Sequence, residues 1–177
     1  MKTKNYFSLI LAFCLCTAAF CQTEKSINPQ VTVLERIHWL IERSDMKTIR
    51  EGFEQISSEN NFPSLVAGLK DGIYQGASPC DDYGYRHEVS FEIKNGKMVS
   101  IDYDEIHTEG HAKQSDKEYC QRMLKYGTTP AIAYPHYESR MLATQNFDKV
   151  DAVSGASYSL YRFKLAILYA MLNSGQL

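Results

Sequence analysis

The stretch Val89-Ser-Phe-Glu-Ile-Lys-Asn95-Gly96-Lys-Met-Val-Ser-Ile-Asp-Tyr103 decides the fold of this protein. Apolar and polar residues alternate on both sides of the Asn-Gly pair, as they do in strands with one buried face. Asn-Gly between two such runs is typical of a two-residue hairpin turn, because both turn residues must take positive φ. We therefore predict a β-hairpin over residues 89–104. The side chains expected on its buried face are Val89, Phe91, Ile93, Val99, Ile101 and Tyr103.

The segments around this hairpin predict a small sheet followed by helices. Asp71-Gly-Ile-Tyr-Gln-Gly76 has the character of a short strand between glycines. Downstream, Ser115-Asp-Lys-Glu118 is a capping-box pattern, and Thr129-Pro130 predicts a further helix that Pro135 would kink or shorten. A last helix is predicted from about residue 156 to 172. Strands followed by helices, without regular βαβ alternation, predict an α+β fold with an antiparallel sheet packed by helices.

A pair of helices is predicted ahead of the sheet, between residues 31 and 57. Apolar residues recur there at intervals of three and four, and Ser44-Asp45 interrupts the pattern. The polar stretch 57–63 ends in Pro63 and marks a linker or turn. We therefore predict an N-terminal helical segment and linker over residues 22–63, followed by a domain over residues 69–175.

Residues 1–21 have the three-part layout of a secretory signal peptide. Lys2 and Lys4 form a basic start, residues 7–20 are almost wholly apolar, and a short Ala-Phe-Cys sequence ends the stretch. The apolar run is too short to cross about 30 Å of hydrocarbon comfortably. We predict an exported bacterial protein, periplasmic or at the cell surface. A lipid anchor that makes it membrane-associated is the alternative, although neither Cys16 nor Cys21 follows a small residue.

Composition narrows the classes of partner. The chain has 19 basic and 21 acidic residues and a formal net charge of −2. Because no basic stripe accompanies that balance, we expect no nucleic-acid partner. Without the leader, Cys80 and Cys120 remain, and they either close a disulfide in an oxidising compartment or stay as two thiols, since spacing alone cannot place their Cβ atoms.

The segment His107-Thr-Glu-Gly-His111 contains two histidines that flank a glutamate. Its order differs from the His-Glu-x-x-His of zinc peptidases, and Gly110 lies inside it. A zinc deaminase needs Pro-Cys-x-x-Cys, whereas Pro79-Cys80 lacks the second cysteine. We therefore expect exposed loop histidines and no metal site.

The segment Asp151-Ala-Val-Ser-Gly-Ala-Ser157 lies where an extended stretch meets the last predicted helix. The first turn of a helix has free N–H groups and the positive end of the dipole, and both favour a phosphate. Gly155 leaves room for a close approach, and Ser154 and Ser157 offer hydroxyls. The same residues fit a plain helix start, with Ser154 as the N-cap and Asp151 complementing the dipole.

This segment resembles the Asp-x-x-(Ser/Thr)-Gly-Ala-Thr motif of the FMN-binding domain family. That family includes flavin-carrying subunits of the Rnf and Nqr redox complexes and surface flavoproteins of Gram-positive bacteria. The resemblance extends over residues 69–173, because further segments follow the family's layout in the same order. They are Asp71-Gly-Ile-Tyr-Gln-Gly76, Asp82-Tyr-Gly-Tyr85, the hairpin with Lys94-Asn-Gly-Lys97, Ser115-Asp-Lys-Glu-Tyr119 and Thr129-Pro-Ala-Ile-Ala-Tyr134.

The resemblance implies FMN joined through its phosphate to the hydroxyl of the motif's last residue by a flavin transferase. That position is Ser157, a serine where the family has threonine. Asp151 would be the acidic residue that the transferase requires. Ser154, Gly155 and Ala156 would shape the turn and offer N–H groups to the phosphate.

Tyr85 and Gly84, from the loop before the hairpin, would contact the flavin ring or its pocket. The family's role then implies an extracytoplasmic electron carrier between redox donors and acceptors at the envelope. Such a protein is not an enzyme with its own small-molecule substrate, because the cofactor performs the redox chemistry. The alternative is a non-redox envelope binding module that retains the fold without flavin.

Overall fold

A computed structural model describes residues 29–174, and within that range the chain forms six α-helices and three strands. The predicted signal peptide, residues 1–21, lies outside the described residues. Between residues 29 and 174, no helix is both long enough and apolar enough to cross a membrane. The elements are α1 Pro29–Ile41, α2 Met46–Glu59, α3 Phe62–Gly68, β1 Gly72–Ala77, β2 Tyr85–Lys94, β3 Lys97–His107, α4 Lys117–Leu124, α5 Pro130–Thr144 and α6 Ser157–Asn173, with 3₁₀ turns at Lys113–Ser115 and Phe147–Lys149.

The predicted hairpin is confirmed as β2 and β3, which pair antiparallel. Asn95 and Gly96 have φ values of 52° and 68°, so both turn residues take the positive φ that a tight right-twisted hairpin needs. The backbone N–H of Asn95 donates to Oδ1 of Asp71 at 2.8 Å, which ties the turn to the segment before β1. β1 pairs antiparallel with the other edge of β2, giving the strand order β1-β2-β3.

One side chain of the hairpin faces away from the expected side. The pairing of β2 with β3 shifts between Glu92 and Ile93, so Ile93 lies opposite Met98. A shift of one residue exchanges the two faces of a strand. Met98 is therefore buried, whereas Val99 is 45% exposed, and the expectation that Val99 faces the core is wrong.

Helix α6 passes through the centre of the molecule. It packs on β1 and β2 and also contacts α1, α2 and α5. At Gly76 of β1, a Cβ atom would lie only 2.8 Å from Cβ of Ala170, so the glycine allows the helix to lie close to the sheet. The predicted last helix is confirmed, and buried residues occur on all of its sides. Its buried residues are Leu160, Arg162, Phe163, Lys164, Leu165, Ala166, Ile167, Leu168, Ala170 and Met171.

The N-terminal helical pair belongs to the same hydrophobic core. Ile37 of α1 and Ile49 and Phe53 of α2 are buried in one cluster with the sheet and α6. The hydroxyl of Tyr158 donates to the carbonyl of Ser44 at 2.7 Å and accepts the N–H of Met46 at 3.2 Å. The α1–α2 linker is thus held directly against the first turn of α6.

The helix starts and ends predicted from capping residues and prolines are only partly correct. The structure adds α3, which begins at Phe62 near the end of the expected linker over residues 57–63 and has Asn61 as its N-cap. The cap of α4 is Asp116, which accepts the N–H of Tyr119 at 2.9 Å, whereas Ser115 donates its hydroxyl back to Ala112. Pro130 begins α5 as predicted, but Pro135 lies inside that helix without ending it.

We expect Phe53→Ala to lower the free energy of unfolding of the whole chain by about 3–5 kcal/mol, the usual cost of deleting a buried phenyl ring. Phe53 is 3% exposed and makes edge contacts with Phe147 and Tyr161. Urea unfolding followed by near- and far-ultraviolet circular dichroism would show one shifted transition. Ile132→Ala, at a residue that is 57% exposed, is the control and should change little. Two separate transitions in Phe53→Ala would contradict a shared core.

Candidate functional site

A cavity of about 680 Å³ opens beside the first turns of α6. Its walls come from the start of β2, the end of β3, the Lys113–Ser115 turn, α4 and the start of α5. Small-molecule sites usually occupy roughly 300–1,000 Å³. The lining residues are Tyr83, Tyr85, His107, Lys113, Tyr119, Arg122, Met123, Tyr126, Thr128, Thr129, Pro130, Tyr134, Gly155, Ala156, Tyr158, Ser159 and Arg162.

Three of the seven residues that the resemblance implies for FMN binding line this cavity: Tyr85, Gly155 and Ala156. Gly84 lies directly behind the wall. It has φ +79°, and a Cβ atom there would lie 3.0 Å from Nε2 of His107. The structure therefore brings the loop before the hairpin and the motif before α6 to the same cavity, although they are some seventy residues apart in sequence.

The other three motif residues lie at or outside the rim. Asp151 is exposed over 81% of its side chain and lies 4.0 Å from Nη2 of Arg140. Ser154 is also exposed. Ser157 is half-buried and is the first residue of α6, but it is not among the lining residues.

The start of α6 has no side-chain cap. The N-cap residue is Ala156, so the expectation that Ser154 caps this helix is wrong. The turn is held instead by the N–H of Ala156, which donates to Val153 at 2.9 Å, and by the hydroxyl of Tyr137, which donates to the carbonyl of Ala156 at 2.9 Å. The N–H groups of the first turn and the positive end of the helix dipole therefore stay available beside the cavity.

Gly155 allows the backbone of a neighbouring loop to pack closely against it. Its φ is +82°, and a Cβ atom would lie 2.6 Å from the carbonyl oxygen of Tyr126 and 3.0 Å from its Cβ. The space that the glycine leaves is therefore filled by the loop between α4 and α5. This close approach places Tyr126 on the cavity wall next to the start of α6.

Arg162 is a buried cation whose donors are incompletely used. It is 3% exposed, it lines the cavity, and its Nη2 lies 3.0 Å from Oδ2 of Asp81. The geometry of that ion pair leaves Nε and Nη2 without a hydrogen bond. The Cζ atom lies 5.7 Å from the ring centroids of both Tyr83 and Tyr158. A buried donor without an acceptor costs about 1–3 kcal/mol or more, so an anion that reached this guanidinium would be favoured.

Asp81 fixes the loop that carries Tyr83 and Tyr85. Its Oδ1 accepts the N–H groups of these residues at 2.9 and 3.0 Å. Burial raises the pKa of Asp81, but the contacts with His87 and Arg162 outweigh it and hold that pKa below its ordinary value. Asp81 therefore stays ionised opposite Arg162.

A second buried ion pair joins Glu105 of β3 to Lys113. Lys113 donates to Oε2 of Glu105, and the side chains are 6% and 0% exposed. Burial raises the pKa of Glu105, but the charges of Lys113, His87 and Arg162 more than offset it, so the pKa lies well below the ordinary value. The ammonium of Lys113 lies 4.2 Å from the ring centroid of Tyr85 and 4.9 Å from that of Tyr119.

His87 and Tyr103 connect these two ion pairs through the core. Nδ1 of His87 lies 3.1 Å from the hydroxyl of Tyr103, which donates to Oε1 of Glu105 at 3.2 Å. Nε2 of His87 is 3.5 Å from Oδ2 of Asp81, an electrostatic contact longer than a good hydrogen bond. The side chains of His87 and Tyr103 are both fully buried.

Sequence reasoning missed this network. His87 of β2 and Glu105 of β3 continue the buried face of the hairpin, where apolar residues are expected. Polar residues at such positions must be hydrogen-bonded or paired, and that signal could have pointed to buried charges.

The cavity therefore suits a planar ligand with negative charge. Lys113, Arg122 and Arg162 line it, and no carboxylate does so within the described part of the chain. Six tyrosines offer ring faces and hydroxyls. His107 lies near the mouth, with its ring centroid 5.0 Å from that of Tyr85.

We expect Gly155→Ala to destabilise the fold more than Gly127→Ala. Gly127 also has positive φ, at +92°, but a Cβ there would meet nothing within 4 Å. Left-handed backbone alone costs a non-glycine residue roughly 1–2 kcal/mol, and Gly155→Ala adds the overlap with Tyr126. Urea unfolding of both variants measures the difference. Equal losses of stability would contradict the close packing at Gly155.

Glu105→Gln should reduce stability at neutral pH by about 3–5 kcal/mol, because it leaves the buried Lys113 cation without its partner. The pKa of Glu105 is lowered in the folded state, so its contribution is complete above about pH 4.5, the ordinary value, and is lost as pH falls further. The difference in the free energy of unfolding between wild type and variant should therefore become smaller as the pH falls below that value. Urea unfolding from pH 7 to about pH 3 would measure it. Glu88→Gln, which removes an exposed pair with Arg86, is the control. A gap independent of pH would contradict the ionised buried pair.

No protein-family model matches the chain, and no curated protein sequence does. Among solved structures, the crystal structure of the CPE2226 protein from Clostridium perfringens is similar, with a TM-score of 0.55 and 30% sequence identity. The match covers 62% of this chain and 93% of that one. A solution NMR structure of a protein from Clostridium thermocellum matches with 22% identity and a TM-score of 0.36, covering 62% of this chain and 95% of that one.

The C. perfringens protein is matched over nearly its whole length at 30% identity. On that basis, this chain belongs to the same family as the CPE2226 protein of Clostridium perfringens.

Proposed function

We propose that this chain is an exported flavoprotein of the FMN-binding domain type. It holds FMN in the cavity beside α6, attaches it through Ser157 and passes electrons outside the cytoplasmic membrane. One observation carries the proposal: the buried Nε and Nη2 of Arg162 make no hydrogen bond and belong to the same tyrosine-lined cavity as the uncapped start of α6. The motif Asp151-Ala-Val-Ser-Gly-Ala-Ser157 leads directly into that helix start.

The residues of the cavity fit both the phosphate and the flavin ring of FMN. A phosphate needs donors and positive potential, which the N–H groups of the first turn of α6 and the guanidinium of Arg162 provide. A flavin ring needs apolar faces with a few hydrogen-bonding groups, which the tyrosines supply. The volume of about 680 Å³ lies within the range for ligands of this size.

Ser157 is suited to be the attachment point because it is half-buried at the junction of the exposed motif and the helix. In the transfer step its Oγ–H loses a proton and Oγ bonds to the phosphorus of the FMN moiety of FAD. The pyrophosphate bond breaks and AMP leaves, so no oxidant or reductant is needed. The exposed carboxylate of Asp151 is accessible to a flavin transferase during this step.

When bound, FMN supplies reversible electron transfer; the protein determines its position and its surroundings. Lys113 and Arg162 place fixed positive charge at the cavity wall, and this favours whichever ligand state carries more negative charge. Asp81 and Glu105 hold these cations in place and prevent their side chains from turning out to water. The chain thus acts as a carrier between redox proteins, and no residue is assigned a catalytic role.

A non-redox envelope binding module is the alternative function. Ser157 is absent from the cavity lining, which favours a cavity used for a non-covalent ligand. The two functions make opposite predictions about the mass and colour of the protein.

We expect the full chain, co-expressed with a flavin transferase and FAD, to be yellow and to gain the mass of one FMN less one water. Ser157→Ala should lose this gain, Ser157→Thr should keep it, and Ser154→Ala should keep it as a neighbouring hydroxyl control. Intact-mass spectrometry and the visible spectrum of the denatured protein measure the adduct. An unchanged mass in wild type would overturn covalent attachment, and a colourless protein would favour the binding module.

The role of Arg162 can be tested without the covalent bond. In the Ser157→Ala background, free FMN should quench the tyrosine fluorescence of the cavity, and Arg162→Lys should weaken FMN binding by about 10–100-fold, as expected for a lost charge-assisted hydrogen bond. Arg86→Gln, on an exposed part of β2, is the matched control. Equal affinities for FMN and riboflavin in the parent would contradict a phosphate site.

A further inference from the structure

We propose that His107, Glu109 and His111 form a binding site for a transition-metal ion, Zn²⁺ in the first place, at the mouth of the cavity. One ligand atom of each residue lies within 4.8 Å of the others, and among the described residues this is the one group of three such side chains. The sequence indicated only exposed loop histidines, because their order matches no zinc-enzyme motif. The site is independent of FMN and needs no flavin for its test.

The backbone holds the two histidines in register. The N–H of His107 donates to the carbonyl of His111 at 2.9 Å, and the N–H of Gly110 donates to the carbonyl of His107 at 2.8 Å. Gly110 has φ +88°, which allows the chain to reverse within this turn. The isolated bridge between Ile106 and Ala112 extends the pairing by one residue. The histidines therefore stand side by side at the base of a closed turn.

Packing fixes the rings that this turn presents. The imidazoles of His107 and His111 stack with centroids 4.6 Å apart. The ring of Tyr85 makes edge contacts with both, at 5.0 and 6.2 Å between centroids. The rings are therefore close to each other, but because they are nearly parallel, one imidazole has to rotate before both can bind the same ion.

Two of the three distances between donor atoms, both measured from Glu109, approach those of a tetrahedral zinc centre. Oε2 of Glu109 lies 3.5 Å from Nδ1 of His107 and 3.9 Å from Nδ1 of His111. Bonds of about 2.0–2.1 Å in a tetrahedron place ligand atoms roughly 3.3 Å apart. The Glu109 side chain is 76% exposed, so it can close this difference by a small rotation.

The donor types of this group suit a transition-metal ion. Nδ1 of His107 accepts a long hydrogen bond from the N–H of Glu109 at 3.3 Å, and this contact has to be released when Nδ1 binds an ion. Two imidazoles and one carboxylate form a donor set that suits Zn²⁺ and other first-row transition metals rather than Mg²⁺ or Ca²⁺. Three protein ligands leave a fourth position for water.

Asp116 provides the outer support that metal-bound histidines usually have. Its Oδ2 lies 3.9 Å from Nε2 of His111, on the side of the ring away from Glu109. This distance is too long for a hydrogen bond, so the N–H at Nε2 would donate to the carboxylate, and the carboxylate would orient the ring, only after a small movement of either side chain. The other oxygen of Asp116 already caps α4 through the N–H of Tyr119, so its position is fixed.

The experiment is a Zn²⁺ titration of the flavin-free full chain, treated first with a chelator, by isothermal calorimetry at neutral pH. The wild type should bind one equivalent more than the double variant His107→Gln/His111→Gln. His136→Gln, at an exposed histidine of α5, is the matched control and should retain that equivalent. Any equivalent that persists in the double variant belongs to other donors, such as the free thiols of Cys80 and Cys120.

Two single variants keep the test decisive if the double variant fails to fold. His111→Gln, whose side chain is 41% exposed, should weaken Zn²⁺ binding at least about tenfold. Asp116→Asn keeps a good helix N-cap but removes the charge beside His111, and it should weaken binding by about 10–100-fold. Mg²⁺ in place of Zn²⁺ should give no heat. Identical Zn²⁺ isotherms for wild type, His111→Gln and the double variant would overturn the site.

Discussion

Two cations buried beside a cavity must each have a carboxylate, and that requirement organises the centre of this molecule. Lys113 is paired with Glu105, and Arg162 is paired with Asp81. The four residues come from four different parts of the chain, so the pairs can form only when the sheet, the loop between β1 and β2, the Lys113–Ser115 turn and α6 are in place. Removing one member would leave an uncompensated charge in the interior, which is far costlier than losing an exposed ion pair.

The same constraint explains why polar side chains continue the inward face of the hairpin. Towards the Asn95-Gly96 turn, that face is apolar and packs on α6. Towards the other end it presents His87, Tyr103 and Glu105, which hold the cations at the cavity wall. One pair of strands thus provides a hydrophobic core at one end and an electrostatic support for the cavity at the other.

The sequence predicts the parts of the fold that depend on local chemistry. The Asn95-Gly96 pair specifies its turn because both residues take positive φ, and the apolar spacing of α6 and the helical pair reflects burial on a helix face. Where two local signals compete, tertiary contacts decide. Asp116 caps α4 although the capping-box pattern begins at Ser115. A register shift between Glu92 and Ile93 buries Met98 instead of Val99.

The candidate site was predictable only in part. The motif before α6 marks the helix start, and Tyr85 and Gly84 mark a second loop that reaches the same cavity. The partners that charge the cavity were not visible, because Asp81, Glu105, Lys113 and Arg162 are far apart in sequence and each looks like an ordinary surface residue until the fold buries it. Likewise, the backbone pairing of His107 with His111 depends on a turn that no spacing rule describes.

The hydrogen bonds of Tyr158 have a mechanical consequence. This residue follows Ser157 in sequence, lines the cavity, and binds the backbone of Ser44 and Met46 between α1 and α2. The linker of the helical pair is therefore attached directly to the wall of the cavity by hydrogen bonds. Because one side chain makes both contacts, the position of the α1–α2 linker is coupled to the position of the cavity wall.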